Sequence, residues 1–299
     1  MRPGPALATT AATVGPFLVA KLQTLEARLR DVAPRVLASA DDGDAVHDLR
    51  VALRRTRTVL EVGRPVLGRF HADEVRRALR EVMRASGALR DDEVLLELIA
   101  SLGARHPDVQ VWLDARRRRE RRLRGLLSKA LRSGELERGR GLLAALLAFR
   151  VDPKRDRRIT KFARRAVERA RRAVDRRRGA RPDDAEALHR LRIAYKRLRY
   201  IAETFADALP DELSALAQPA ARFQGRLGDL HDVDVALGCV RRARTLSGEA
   251  RAELLAALAC ERETRVAAYG RELGIVAVSP VAPPAQAVGT DSLRNISTR

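Results

Sequence analysis

Residues 46–57 read VHDLRVALRRTR, and residues 188–199 read LHRLRIAYKRLR. The two stretches align without a gap at an offset of 142 residues, so that four basic side chains of the first have a counterpart in the second. The pairs are His47 with His189, Arg50 with Arg192, Arg54 with Lys196, and Arg57 with Arg199. The same helical stretch is therefore present twice in the chain.

A second pair of related segments follows each of these stretches. Residues 87–94 read GALRDDEV and residues 228–235 read GDLHDVDV, at an offset of 141 residues. They align Gly87 with Gly228, Asp91 with Asp232, and Glu93 with Asp234. Two blocks in the same order at nearly the same offset indicate a duplicated helical unit. Each glycine is predicted to form a tight break before the next helix.

The carboxylates of the second block suggest a metal site, but their spacing argues against one. Residues two apart on a helix project about 200° from each other, which is poor geometry for a shared Mg²⁺. We therefore expect these groups to cap helices or to pair with arginines of the repeat. The two cysteines, Cys239 and Cys260, show no CxxC spacing, and we expect no metal and no cofactor.

The composition favours an all-α fold with two related halves. Of 299 residues, 45% are hydrophobic, 33% are charged and 3% are aromatic. From Phe17 to Tyr269, apolar residues recur at spacings of three and four residues, as in amphipathic helices. The break VDPKRD predicts a first helical half at 16–150 and a second at 151–274, with about four principal helices each. Residues 1–15 are expected to be flexible, and the Pro- and Ala-rich segment 275–299 is expected to be disordered.

The charge balance predicts a polyanionic partner. The chain has 59 Lys and Arg against 39 Asp and Glu, a net charge of +20, and only five of the cations are Lys. A guanidinium presents a planar set of donors that suits phosphate oxygens. No run of about 18 apolar residues exists, which excludes a membrane-spanning helix.

The repeated stretch places His, Arg, Arg or Lys, and Arg at positions i, i+3, i+7 and i+10. On a helix these side chains form a row about 80° wide and about 15 Å long. Leu49, Leu53 and Leu60 form a separate apolar face. One row alone would most simply be a solvated surface or a network with Asp and Glu, but two matching rows favour a site for successive phosphates.

The two histidines are predicted to lie close to helix N-termini. Asp44 marks the first helix start, and Asp183 with Glu186 marks the second as an approximate capping box. We expect both rings in the first turn, where free amides and the positive helix end also favour anions. Phosphate would raise the histidine pKa, so that anion binding is predicted to tighten as the pH falls below neutral.

A second basic surface is predicted on residues 157–178. Its five cations project within about 80° of each other; they are Lys161, Arg165, Arg169, Arg172 and Arg176. The corresponding helix of the first half carries a cation at every seventh residue. These cations, Lys21, Arg28 and Arg35, are candidates for the same groove. The run RRRRERRLR at 116–124 surrounds its helix and is predicted to be a solvated surface.

At these residues the chain resembles the conserved histidine α-helical domain family, known as CHAD, over about residues 16–272. The resemblance rests on the two LHxLRxxxKRLR-type stretches, each followed by a Gly-containing segment with Asp. It implies two pseudo-symmetric four-helix bundles with a basic groove that binds inorganic polyphosphate, and family members associate with polyphosphate granules. Carried onto this chain, the contacts are the eight paired residues named above, whereas His231 and Ala85-Ser86-Gly87 depart from the family pattern.

The sequence thus predicts a cytoplasmic, non-enzymatic protein that binds inorganic polyphosphate and associates with polyphosphate granules, without a membrane partner. Nucleic acid is the main alternative ligand, although weak and non-specific, because aromatic stacking platforms are nearly absent and no base-reading motif is present. A metal-dependent phosphoanhydride hydrolase is the second alternative. It would need a set of metal-binding carboxylates that the sequence does not clearly provide.

Overall fold

The computed structural model describes residues 13–38, 43–149 and 154–274, and these residues are almost entirely helical. The first half contains α1 (Val14–Ala38), α2 (Gly43–Leu67), α3 (Arg69–Ala78), α4 (Arg80–Ser101), α5 (Pro107–Arg132) and α6 (Glu135–Ala148). The second contains α7 (Ile159–Asp175), α8 (Ala185–Thr204), α9 (Asp211–Ser214), α10 (Ala217–Arg241) and α11 (Gly248–Glu272), with a 3-10 turn at Ala206–Ala208. The described residues contain no strand, and one isolated bridge joins Thr13 to Arg158.

The long helices pack in the same order in both halves. In the first half α1 packs on α2 and α4 on α5, and in the second α7 packs on α8 and α10 on α11. The all-α prediction with four principal helices per half is therefore confirmed. The additional helices of the first half, α3 and α6, pack against each other.

Two reciprocal ion pairs relate the halves by a pseudo-twofold axis. Arg55 of α2 lies 3.1 Å from Glu203 of α8, and Arg197 of α8 lies 2.8 Å from Glu61 of α2. Both arginines and both glutamates are themselves related by the 142-residue offset. Each half thus contributes its arginine to one pair and its glutamate to the other. Such a reciprocal contact is characteristic of twofold symmetry. The axis therefore passes between α2 and α8.

Both hydrophobic cores are built from both halves. The larger one contains Leu22 and Leu49 together with Leu191 and Leu227. The smaller one surrounds Trp112 and combines the facing ends of α4, α5, α10 and α11. Burial of the apolar faces therefore holds the halves to each other as well as each half to itself.

Three predictions concern residues outside those that the structure describes. They are the boundary between the halves at residue 150, the disordered tail from residue 275, and the flexible N-terminus up to residue 12. Residues 13–15 are described and packed, since Val14 is fully buried and the amide of Gly15 donates to the Asp156 carboxylate at 2.9 Å. The first helix is thereby fastened to the segment that precedes α7.

The histidines lie slightly further into their helices than the sequence predicts. The residue that caps α8 is Asp184, whose carboxylate accepts from the amide of Ala187 at 2.8 Å, and not Asp183. Asp183 pairs instead with Arg181 at 2.9 Å. His47 and His189 are the fifth residues of α2 and α8 as described. Because only the first four amides of a helix lack an internal acceptor, both rings lie just past the free amides.

Candidate anion-binding site

Four cations from the two repeated helices converge beside the pseudo-twofold axis. Arg50 and Arg54 come from α2, and Arg192 and Lys196 come from α8; we call these four the central cluster. Burial lowers the pKa of Lys196 from 10.5 to about 7, and the nearby charges of Arg54, Arg192 and Arg50 lower it further in that order of strength. A lysine is depressed in this way only when it is withdrawn from water among like charges. The two rows therefore face a shared space.

The charged groups of the central cluster have no protein partner among the described residues. None of the four side chains makes a hydrogen bond or an ion pair there, and Arg50 Nη1 and Arg192 Nε are buried without an acceptor. Arg50 is only 7% exposed, and its pKa is lowered to about 10 by burial and then by Arg54. Buried donors without acceptors are costly and uncommon in folded proteins. An anion in this space would supply the missing acceptors.

The two repeat glycines allow neighbouring helices to approach these arginines. Gly87 and Gly228 lie inside α4 and α10, so the predicted helix breaks at these positions are wrong. A Cβ atom on Gly87 would lie 3.4 Å from Arg50 Nη1, and one on Gly228 would lie 3.5 Å from Arg192 Nε. A side chain longer than a methyl group would occupy the space of the guanidinium. The glycines therefore serve helix packing around the cluster.

The outer carboxylate of each second block pairs with an arginine of the following helix. Glu93 of α4 lies 2.9 Å from Arg124 of α5, and Asp234 of α10 lies 2.7 Å from Arg262 of α11. The expected pairing with arginine is found for both, but Arg124 and Arg262 lie outside the repeated blocks; Glu93 also lies 3.4 Å from Arg90 of its own block. These two carboxylates join helices and are not available to a ligand.

The inner carboxylates, Asp91 and Asp232, lie near the cluster without pairing directly with it. Neither makes an ion pair within 4.0 Å among the described residues. Asp91 favours the charged forms of Arg50 and Lys196 through space. Burial raises the pKa of Asp232 to about 6, although Arg192 opposes the rise. Two partly compensating carboxylates against four cations leave the site positive.

The two halves treat their histidines differently. His189 Nδ1 lies 3.2 Å from His231 Nδ1, so the N–H of one ring donates a hydrogen bond to the bare nitrogen of the other. The pKa of His231 is lowered to about 4 by burial and then by Arg192, and the pKa of His189 is lowered for the same reasons. His47 is exposed. Arg90, the counterpart of His231, pairs with Glu93 and Glu97.

The last arginine of each row is engaged elsewhere. Arg57 donates to the backbone carbonyl of Arg76 at 2.8 Å, and Arg199 donates to Glu203 at 2.7 Å. Of the eight residues selected from sequence, the structure thus brings four together as unpaired cations. His189 lies beside them, and the charges of Arg192 and Lys196 act on its ring.

The cations predicted to form a second basic surface do not all lie together. Lys161 and Arg165 line a groove of about 1050 Å³, whereas Arg172 does not. Lys21 pairs with Asp207 at 3.0 Å, and Arg28 is exposed on α1. No described α1 residue lines this groove. The structure thus does not bring the α1 cations together with those of α7.

Part of the Arg116–Arg124 run is internal, in contrast to the predicted solvated surface. Arg116 and Arg119 both lie 3.3 Å from the buried carboxylate of Asp92. Arg118, Arg121 and Arg122 are exposed and border a shallow depression. The run therefore both fixes α5 to α4 and contributes to the surface charge.

Sequence reasoning missed the residues that hold the two rows in register. Arg55, Glu61, Arg197 and Glu203 repeat at the same 142-residue offset as the rows themselves. That offset was the available signal, because it pairs each arginine with its counterpart and each glutamate with its counterpart. Duplicated helices that contact each other across a twofold axis do so reciprocally, which the offset alone does not reveal.

The described residues contain no group of three or more His, Cys, Asp or Glu arranged to hold a metal ion. Across those same segments, no helix is both long enough and apolar enough to cross a bilayer.

Comparison with known proteins identifies the fold. The sequence profile of the CHAD domain matches residues 20–241. The crystal structure of the CHAD domain from the plant Ricinus communis superposes with a TM-score of 0.71 at 22% identity, covering 91% of this chain and 95% of that one. PptA from Streptomyces chartreusis superposes with a TM-score of 0.66 at 17% identity, covering 88% and 100%. No curated protein sequence matches.

Proposed function

The chain belongs to the CHAD domain family, and we propose that it binds inorganic polyphosphate at the central cluster. The observation that carries the proposal is the convergence of four cations without any ion pair among the described residues. Like charges that share a poorly solvated space destabilise each other. A ligand with negative charge along its whole length relieves that repulsion most fully.

The chemistry of the site favours a chain of phosphates over a single small anion. Arg50 and Arg54 are one helical turn apart on α2, and Arg192 and Lys196 repeat this spacing on α8. Cations one turn apart are about 6 Å from each other along the axis, so two such pairs offer a chain of phosphates more contacts than a single phosphate can make. The rings beside the cluster, those of His189 and His231, contact each other, with 4.4 Å between their centroids. An inorganic chain uses every feature of this site.

We further propose that binding is not accompanied by chemistry. Phosphoryl transfer needs metal ions or an activated nucleophile beside the cations. Asp91 and Asp232 are the carboxylates that interact with the cluster through space, and we propose that they only offset part of its positive charge. Release of phosphate from polyphosphate with Mg²⁺ or Mn²⁺, lost on Asp91→Asn or Asp232→Asn, would establish a hydrolase instead.

The direct test replaces Arg50 and Arg192 with Glu and measures binding of labelled long-chain polyphosphate. The control, Arg118→Glu with Arg121→Glu, makes the same charge change at exposed arginines of α5. We expect the cluster variant to bind at least about 100-fold more weakly, with a salt slope reduced by about 0.7 for each lost phosphate contact. The control should change little, and both variants should keep wild-type helicity.

Competition separates the ligands. DNA or RNA at equal phosphate concentration should leave polyphosphate bound at the central cluster. Displacement by nucleic acid, or equal loss of binding in the cluster and control variants, would refute the proposal. Recruitment to polyphosphate granules in the cytoplasm is the cellular role that we propose to follow from this binding.

A further inference from the structure

A second cationic groove runs along α7. It is lined by α7, by the segment before it, by the C-terminal end of α2, by the start of α3 and by α8. Ten cations border this space of about 1050 Å³, and the acidic residue among its lining residues is Glu61, which pairs with Arg197 and Arg76. We call this space the α7 groove.

Most of the cations of the α7 groove are unpaired. Seven of them make no side-chain hydrogen bond or ion pair with a described residue; they are Arg69, Arg157, Arg158, Lys161, Arg165, Arg169 and Arg176. Arg158 and Arg176 are separated by about 27 Å along the helix axis. The charges therefore follow an extended line that suits the backbone of a polymer.

The α7 groove differs from the central cluster because it has an apolar floor. Val62, Pro65, Phe162, Ala166 and Ile201 line it together with the cations. An inorganic phosphate chain has no apolar part that could use such a floor. A ligand that combines regular negative charge with flat apolar groups would use both the cations and the floor.

An exposed aromatic cluster begins at Phe70, the residue that follows the groove residue Arg69. Phe70 is 71% exposed and Phe149 is 67% exposed. The ring of His71 lies between them, with ring centroids 5.5 Å from Phe70 and 6.1 Å from Phe149. Large aromatic rings left in water in a protein with only six Phe residues are available for stacking.

The turn before α3 connects the groove and the rings. Gly68 has a φ of 89°, a left-handed conformation that glycine adopts readily. It reverses the chain after α2, so that Arg69 lines the groove while Phe70 and His71 follow it directly. Cations and stacking surfaces are thus adjacent along one path.

We propose that the α7 groove and the aromatic cluster form a binding site for single-stranded nucleic acid. Its phosphates would contact the groove cations, and its bases would stack on Phe70, His71 and Phe149. A cationic groove that follows the backbone, together with aromatic rings for the bases, is how proteins bind single strands without sequence preference. Aromatic residues are scarce in the sequence as a whole, but these three rings lie together.

This site is separate from the central cluster. On α8 the groove residues Arg197 and Ile201 project about 140° away from Arg192 and Lys196. The two ligands would therefore approach α8 from different sides. Polyphosphate and a nucleic acid strand could be held by one protein at the same time.

The test measures anisotropy of labelled oligouridine with the full chain and two pairs of variants. Arg165→Glu with Arg169→Glu should weaken binding at least tenfold and reduce the salt slope by about 0.7 for each lost contact. Phe70→Ala with Phe149→Ala should weaken binding about tenfold with an unchanged salt slope, because only stacking is lost.

Matched controls change exposed arginines and exposed large apolar side chains elsewhere. Arg118→Glu with Arg121→Glu and Val111→Ala with Leu126→Ala alter exposed residues of α5 and should leave oligouridine binding unchanged. Arg50→Glu with Arg192→Glu should weaken polyphosphate binding at least about 100-fold and leave oligouridine binding unchanged. That separation tests the groove independently of the proposed function.

Several results would overturn the proposal. Unchanged binding in the double-Phe variant would mean that bases do not stack there. Equal competition by polyglutamate or polyphosphate at matched charge would mean that the groove accepts any polyanion. Loss of oligouridine binding in the Arg50 and Arg192 variant would place the nucleic acid at the central cluster.

Discussion

Lys196 shows how the environment of one side chain can prepare a site for its ligand. Burial and three neighbouring arginines hold its pKa at about 7, so the side chain titrates close to neutral pH. A bound polyanion would reverse the sign of its electrostatic environment and raise this pKa. Binding would then be accompanied by proton uptake.

The pH dependence of polyphosphate binding should therefore depend on Lys196. A group whose pKa rises on binding contributes fully below its free-state pKa, here about 7, and loses that contribution as the pH rises towards its bound-state pKa. We expect the affinity to fall by up to about tenfold per pH unit above pH 7. Titration of labelled polyphosphate from about pH 6 to about pH 9 at constant salt measures this.

The matched variant for this measurement is Lys196→Arg, since arginine already occupies the equivalent position as Arg54. It should bind as tightly as the wild type at about pH 6 and keep that affinity to about pH 9. Lys129→Arg, at an exposed position on α5, should leave the pH profile unchanged. A wild-type profile in Lys196→Arg would show that another group takes up the proton. Burial and Arg192 lower the pKa of His189 and of His231 below the ordinary histidine value of 6.5, so in the free protein both rings hold a proton less tightly than Lys196 does.

At the scale of helices, the sequence predicted the rows but not which cations remain free. The rows follow from the 3.6-residue period, which is local. The pairing of Arg199 with Glu203 is also local, since the residues are four apart. The contact of Arg57 with the carbonyl of Arg76 depends on how α2 meets α3, and the sequence spacing does not reveal it. The free cations are thus defined by packing.

Close packing of α10 against α8 gives a prediction at this scale. Gly228→Leu should displace the Arg192 guanidinium and weaken polyphosphate binding about tenfold, because a Cβ atom there would already lie 3.5 Å from Arg192 Nε. Gly225→Leu, three residues earlier on the same helix, meets open space and is the control. Binding isotherms and circular dichroism of both variants test this. Equal affinities of the two variants would contradict the packing role of Gly228.

At the scale of the whole molecule, the duplication predicts two halves, but the cores unite them. Sequence patterns mark which helical faces are apolar without indicating which half will cover them. The smaller core around Trp112 takes residues from α4 and α5 and also from α10 and α11. The relative placement of the two rows, and hence the site, follows from this shared burial. The sequence alone could predict two rows but not their convergence.

Shared cores should make unfolding a single transition. Trp112 is the only tryptophan of the chain and lies in the smaller core, whereas far-ultraviolet circular dichroism reports all helices. We expect both signals to change at the same denaturant concentration. Separate transitions for the two signals would show that the smaller core unfolds independently.

The most direct test of the account is the stoichiometry of a short-chain polyphosphate at the central cluster, measured by calorimetry with Arg50→Gln and Arg192→Gln as separate variants. Because both helices contribute to one site, we predict one tight polyphosphate site per chain. Either substitution alone should weaken that same site at least about tenfold. Two tight sites, of which each substitution removes only one, would show that α2 and α8 bind separately and would contradict the account.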